Sequence, residues 1–163
     1  MLTAMCIAAA NYLITKTNEF NKGKKYSDRI SMTCKRLQKL LYFSEIEYMK
    51  SHNGKSMFTD EFHAWPNGPV IPSVYDVFVQ YQNGEMYPVS EKGHSSLTKE
   101  MEKTLDRIFE RTQNIDTLDL VDMSHKDGGP WSKAYVKEDE NHENIISKGE
   151  MLSFYQKIDY LTK

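Results

Sequence analysis

The chain has 163 residues, of which 39% are hydrophobic and 27% charged, and its formal net charge is −2. That length fits one domain able to bury a core unaided by metals or disulfides, and the apolar share is too high for disorder. The near-neutral balance excludes a nucleic-acid binder that relies on bulk charge, because phosphate contacts require a net basic face.

The two cysteines, Cys6 and Cys34, are far apart and read as reduced thiols. Met1–Tyr12 leans apolar, but no basic segment precedes it. Asn11, Thr15 and Lys16 interrupt it well short of the roughly 20 apolar residues that a membrane span needs. The expectation is a cytoplasmic protein with no membrane contact.

In chain order, Leu2–Thr17 reads as a helix, with Met5, Ala8, Ala9, Tyr12 and Leu13 on one face. A polar break from Asn18 to Lys25 follows. The second helix is the strongest element. Ser31 or Thr33 can cap it, and Leu37, Leu40, Leu41, Ser44 and Tyr48 recur at helical spacing. Tyr42, Phe43 and Ile46 add apolar surface on its other faces, which predicts a central place in a bundle. Asn53-Gly54 favours a left-handed end.

Between Met57 and Pro72, Pro66, Gly68, Pro69 and Pro72 demand a fixed loop. A small hairpin pairing Glu61–Ala64 with Pro69–Ile71 fits here. Pro72 suits the first turn of a third helix carrying Val74, Val77, Phe78 and Tyr81 and stopped by Gln82-Asn83-Gly84. Met86–Ser96 reads as loop or short strand. Leu97, Met101, Leu105, Ile108 and Phe109 mark a fourth helix, and Leu118 and Val121 a short fifth ending near His125. Trp131–Val136 suggests one or two helical turns. A capping box, Ser147 to Glu150, opens a last helix with a stripe of Met151, Phe154, Tyr155, Ile158 and Leu161. The fold class is therefore mainly α: a compact, single-domain helical bundle with a Pro/Gly-rich loop and room for a small β-hairpin.

Catalytic chemistry finds no support. Cys34 at a helix start would need a histidine base, and none of His52, His63, His94, His125 and His142 is placed beside it by the sequence. His63 beside Glu61 is the nearest approach to a metal cluster, and no pair of histidines has helical ligand spacing. No phosphate-cradling glycine loop occurs. The expectation is no enzyme, no cofactor and no metal. Two charged segments remain. Lys22, Lys24, Lys25, Arg29, Lys35, Arg36 and Lys39 could touch phosphates or an acidic protein, or could be a solvated loop and helix end. Glu138-Asp139-Glu140 with Glu143 could mimic nucleic acid toward a basic partner, or could simply be solvated.

Three motifs occur in order: Leu37-Gln38-Lys39-Leu40-Leu41-Tyr42-Phe43; Glu61-Phe62-His63-Ala64-Trp65-Pro66-Asn67-Gly68-Pro69-Val70; and His125 followed by Pro130-Trp131. This succession resembles the Panacea-domain family, also called SocA-like antitoxins, which includes phage-associated GepA-type proteins. The resemblance runs from about residue 32 to 135, within one domain expected over 1–163. Arg36 departs from it, in a stretch that is often more apolar in the family.

The resemblance implies an antitoxin of a toxin–antitoxin system that neutralises a cognate toxin protein by direct binding. One branch of the family instead delivers its toxin to a Clp-type protease, which gives the alternative of a proteolytic adaptor. A nucleic-acid-binding regulator using the basic segment is a further alternative. Leu40, Tyr42, Phe43, Glu61, Phe62, Trp65, Gly68, Pro69, Val70, His125, Pro130 and Trp131 read first as scaffold, with direct partner contact as the alternative. Trp65 and Trp131 are expected to be mostly buried and close together, with the Trp65 indole N–H finding an acceptor. Lys24, Lys25 and Arg29, and Glu138, Asp139 and Glu140, are the candidate charged partner surfaces.

Overall fold

The structure, a computed structural model, describes residues 5–81, 85–89 and 97–163. The expected helix stop at Gln82-Asn83-Gly84, the start of the first helix at Leu2, His94 and most of the 86–96 segment lie outside the described residues.

The fold is mainly α and is built around one helix, α2 (Cys34–Ser51). Fourteen of its 18 residues are buried, so it has no solvent face to speak of and sits at the centre. Thr33 is the cap, accepting the Arg36 N–H at 3.1 Å. The far end closes through Asn53 and Gly54 at positive φ, with the Gly54 N–H donating to Met49 O. Around α2 pack α1 (Met5–Asn21), α3 (Pro72–Phe78), α4 (Lys99–Thr112), α5 (Thr117–Ser124) and α7 (Lys148–Tyr155). A short α6 (Pro130–Ala134) packs against α7. Leu37, Leu40, Tyr42, Phe43, Phe62, Phe78, Leu105 and Ile108 form the shared core, each no more than 1% exposed.

The hairpin forms. β1 (Phe62–Trp65) pairs antiparallel with β2 (Gly68–Val70), with Trp65 opposite Gly68 and His63 opposite Val70. A third strand, β3 (Ile145–Ile146), pairs with the other edge of β1, giving the order β2-β1-β3. A two-residue strand carries no alternation to read, so the sequence could not announce it.

Several expectations are corrected. α1 runs on to Asn21, because Asn21 caps the following loop with its side chain, bonding both the N–H and the carbonyl of Ile30 at 2.8 Å. α5 buries Leu120 and Met123, leaving Leu118 71% exposed. α7 ends at Tyr155 and turns follow, so Ile158 is exposed and Tyr160, unremarked in the sequence, is buried instead. Only half of the expected capping box forms: Ser147 accepts the Glu150 N–H at 3.2 Å, while the Glu150 carboxylate pairs with Lys133 at 3.0 Å. No helix among the described residues is long and apolar enough to cross a membrane.

Candidate protein-binding face

The polar residues of α2 explain how the hairpin is held. Gln38 grips Ile71 at both backbone groups, donating to its carbonyl at 3.1 Å and accepting its N–H at 2.8 Å. One residue on, Lys39 is fully buried and donates from Nζ to Pro69 O at 3.2 Å. β2 therefore lies clamped along α2. Gly68 opens this strand at φ +112°, and an added Cβ would lie 2.6 Å from Lys39 Cε and 2.8 Å from Ser124 Oγ. Only a glycine fits between the lysine stem and α5.

Lys39 and Arg36 were expected in a surface basic segment, and both are buried. The Arg36 guanidinium spans from α2 to the end of α4, donating at 2.8 Å to both Thr112 O and Ile115 O. It thereby ties the turn that ends α4 to α2, joining the Ile115 N–H on Thr112 O. The apparent departure at this position is a cross-link between helices. Lys24, Lys25 and Arg29 remain at the surface, with Arg29 3.7 Å from Glu85 and Lys24 over the Phe20 ring.

Burial pushes the Lys39 ammonium down to about 7, with Lys35 adding to the effect. The unfolded chain then holds a proton that the folded chain has shed between about pH 7 and 10.5, so folding stability rises with pH across that window. The slope from this one group approaches about 1.4 kcal/mol per pH unit. Lys39→Met removes it. Urea unfolding of wild type and variant side by side should show the variant's relative advantage shrinking as pH rises from 7 to 10. Lys126, held down to about 8 by burial, acts with the same sign but is present in both proteins and cancels.

The motif residues divide into two groups. Leu40, Tyr42, Phe43, Phe62, Gly68, Pro69, Val70 and Pro130 are buried and build scaffold. Glu61 is exposed, while Trp65, His125 and Trp131 are half-buried and meet at the hairpin tip. The Trp131 Nε1–H donates to Trp65 O at 2.8 Å. The His125 ring lies edge-on to Trp131 at 3.9 Å, its Nδ1 2.6 Å from Val121 O and its Nε2 3.3 Å from Pro66 O. The tryptophans were thus rightly expected together. Both keep most of their surface covered, as expected, at the edge of the core rather than deep within it, and the bond joining them comes from the Trp131 indole. Trp65→Ala should accordingly cost about 2 kcal/mol, below the ~3–5 kcal/mol of a fully buried aromatic, as read from chemical unfolding.

The ring system continues. Trp131 stacks on Tyr135 at 4.6 Å and 15°, Tyr135 on His142 at 6.1 Å and 14°, and Trp65 meets Tyr75 at 5.1 Å. The expected acidic run is beside it, with Glu138 and Glu140 exposed. Asp139 folds inward to accept the N–H groups of Asn141 and Glu143, both at 3.2 Å. Cys34, the one candidate nucleophile, is buried and its thiol is pushed up by desolvation, the opposite of activation. His63 gathers no ligand cluster among the described residues.

The sequence profile described as "Antitoxin SocA-like, Panacea domain" matches residues 37–132, from the second turn of α2 to Trp131 and its neighbour. The chain belongs to this SocA-like, Panacea-domain antitoxin family. Antitoxin SocA of Caulobacter vibrioides (strain NA1000 / CB15N) is 28% identical over 107 residues, covering 58% of this chain. The match spans about half, 55%, of the length of that curated relative. No solved structure matches the chain. The Panacea segment thus contains the α2 clamp, the hairpin and the Trp65–His125–Trp131 tip. α1, Tyr135, the acidic run, β3 and α7 lie outside it.

Proposed function

We propose that this chain is an antitoxin that neutralises a cognate toxin by direct protein–protein binding, without chemistry of its own. Membership of the SocA-like, Panacea-domain family over residues 37–132 carries this reading. The surface agrees with it in kind. Among the described residues it presents half-buried aromatic rings beside exposed carboxylates that make no ion pair, which suit a protein interface. The nucleic-acid alternative loses ground, because burial of Arg36 and Lys39 removes two of the seven cations in the basic segment.

Co-expression tests the reading. The reading predicts that a neighbouring gene encodes a growth-inhibiting protein, and that cells tolerate it when both are produced, with the toxin still present at full length and co-purifying with this chain. Continued growth arrest despite equal production would reject it. Rescue accompanied by disappearance of the toxin in a protease-proficient host alone would instead mark an adaptor.

A further inference from the structure

We infer that the toxin docks on the aromatic tip formed by Trp65, Tyr75, His125, Trp131 and Tyr135, and that it meets this tip with a cationic surface. The inference rests on the antitoxin reading and says where, and with what chemistry, the partner is held.

The rings are exposed in part yet fixed in place. His125 is pinned between two carbonyls, Trp131 is bonded to Trp65 O, and Tyr135 is stacked on Trp131. Half-buried Trp and Tyr that are already ordered lose little entropy when a partner covers them, which is the character of binding hot spots. Beside them Val136 is 44% exposed and Ile145 53% exposed, so apolar area continues off the ring system.

Charge decides the partner's chemistry. Lys137 to Glu143 holds four carboxylates against one lysine. Among the described residues, Glu138, Glu140 and Glu143 make no ion pair, and the nearby Lys133 is engaged by Glu150. A run of unpaired carboxylates beside aromatic faces is complementary to arginine and lysine side chains, which pair with the former and lie over the latter. It repels nucleic acid. Cationic surface of this kind is what a protein that handles nucleic acid or nucleotides carries at its own site. Occupying such a site would inhibit without chemistry. The tip also joins two stretches of sequence: Trp65, His125 and Trp131 belong to the Panacea segment, whereas Tyr135 and the acidic run lie beyond it.

The test uses the 163-residue chain and, as probe, the purified protein that this chain rescues growth from in the co-expression experiment. Two variants spare the fully buried residues: Tyr135→Ala, whose retained fold is checked by its melting temperature, and the reversal Glu138→Lys/Glu140→Lys/Glu143→Lys. Binding kinetics should show a dissociation rate at least tenfold faster for the first. The second should associate at least tenfold more slowly, with the wild type's salt dependence lost. Reversal of Lys24, Lys25 and Arg29 to glutamate should leave the affinity within twofold. Wild-type binding that is indifferent to both tip variants, or weakened only by the basic reversal, overturns the docking surface and leaves the antitoxin reading standing. A wild type that does not bind the toxin overturns the antitoxin reading and the surface with it. Sedimentation showing that the tip variants dissolve a homodimer, with toxin binding unchanged, assigns the face to a second copy and also overturns the proposal.

Discussion

Glu45→Leu is expected to cost about 3–5 kcal/mol, enough to leave a domain of this size barely folded at 37 °C. Glu45 sits in the middle of α2 with no solvent exposure, and the polar partners of its carboxylate all lie off the helix. One carboxylate oxygen accepts the Met57 N–H at 2.7 Å. The other accepts the Phe58 N–H at 3.0 Å and the Ser56 hydroxyl at 2.9 Å, and lies 3.2 Å from Lys148 Nζ. Lys148 opens α7 and also donates to Ser56 Oγ and to Phe58 O. This single node therefore fixes the chain leaving α2 and docks the last helix.

Leucine is close in size, so the loss would come from polarity rather than from a cavity. Two backbone N–H groups would be left without an acceptor, and a largely buried ammonium without its counter-charge. Lys148→Met should be destabilising for the mirror-image reason. The double variant should lose less than the sum of the two, by about 0.5–3 kcal/mol, because no unpaired buried charge then remains, although the two backbone N–H groups stay without their carboxylate. Urea denaturation with an unchanged m-value measures all three. Additive losses would mean that the pair does not act as a unit.

Gly68→Ala is expected to cost about 3 kcal/mol or more. Two physical effects coincide there. A φ of +112° is open to glycine and strained for any residue bearing Cβ, at about 1–3 kcal/mol. The new methyl would also stand 2.6 Å from Lys39 Cε and 2.8 Å from Ser124 Oγ, an overpacking of about 1–3 kcal/mol. Lys39 cannot swing aside, because its whole side chain is enclosed. Lys39→Ala placed in the Gly68→Ala background separates the two effects. Part of the loss should return as the clash is relieved, while the backbone strain should persist. Thermal unfolding of the two single variants and the double variant reports the split.

Much of this architecture was legible in the sequence because its signals are local. The all-round apolar face of Leu37–Tyr48, Thr33 as a cap, Pro72 at a first turn and a hairpin, expected as Glu61–Ala64 with Pro69–Ile71 and formed one residue closer to its turn, all follow from spacing and turn chemistry. What escaped was long-range. Gln38, Lys39 and Glu45 are polar residues on a helix otherwise bound for the core. That mismatch is itself a signal of buried partners, but it names none of them. Lys39 and Arg36 were grouped with a surface basic run because adjacency in sequence says nothing about which way a helical side chain faces. Tyr160 was missed because α7 stops at Tyr155 and a turn, rather than helical phase, brings the ring inward.

The candidate face was half legible. Trp65, His125 and Trp131 were singled out by the family resemblance, and the acidic run by composition. That the rings lie at the surface, and that Tyr135 and His142 extend their stack toward the carboxylates, depends on the fold of a short loop with no periodic pattern of its own.

Titration of purified toxin with this protein, with no protease present, tests the central claim most directly. Residual toxin activity is read against the molar ratio. A stoichiometric binder predicts activity falling in proportion to added protein and vanishing near equal amounts. Undiminished activity at every ratio, with toxin lost only once an ATP-dependent protease is added, would contradict neutralisation by binding.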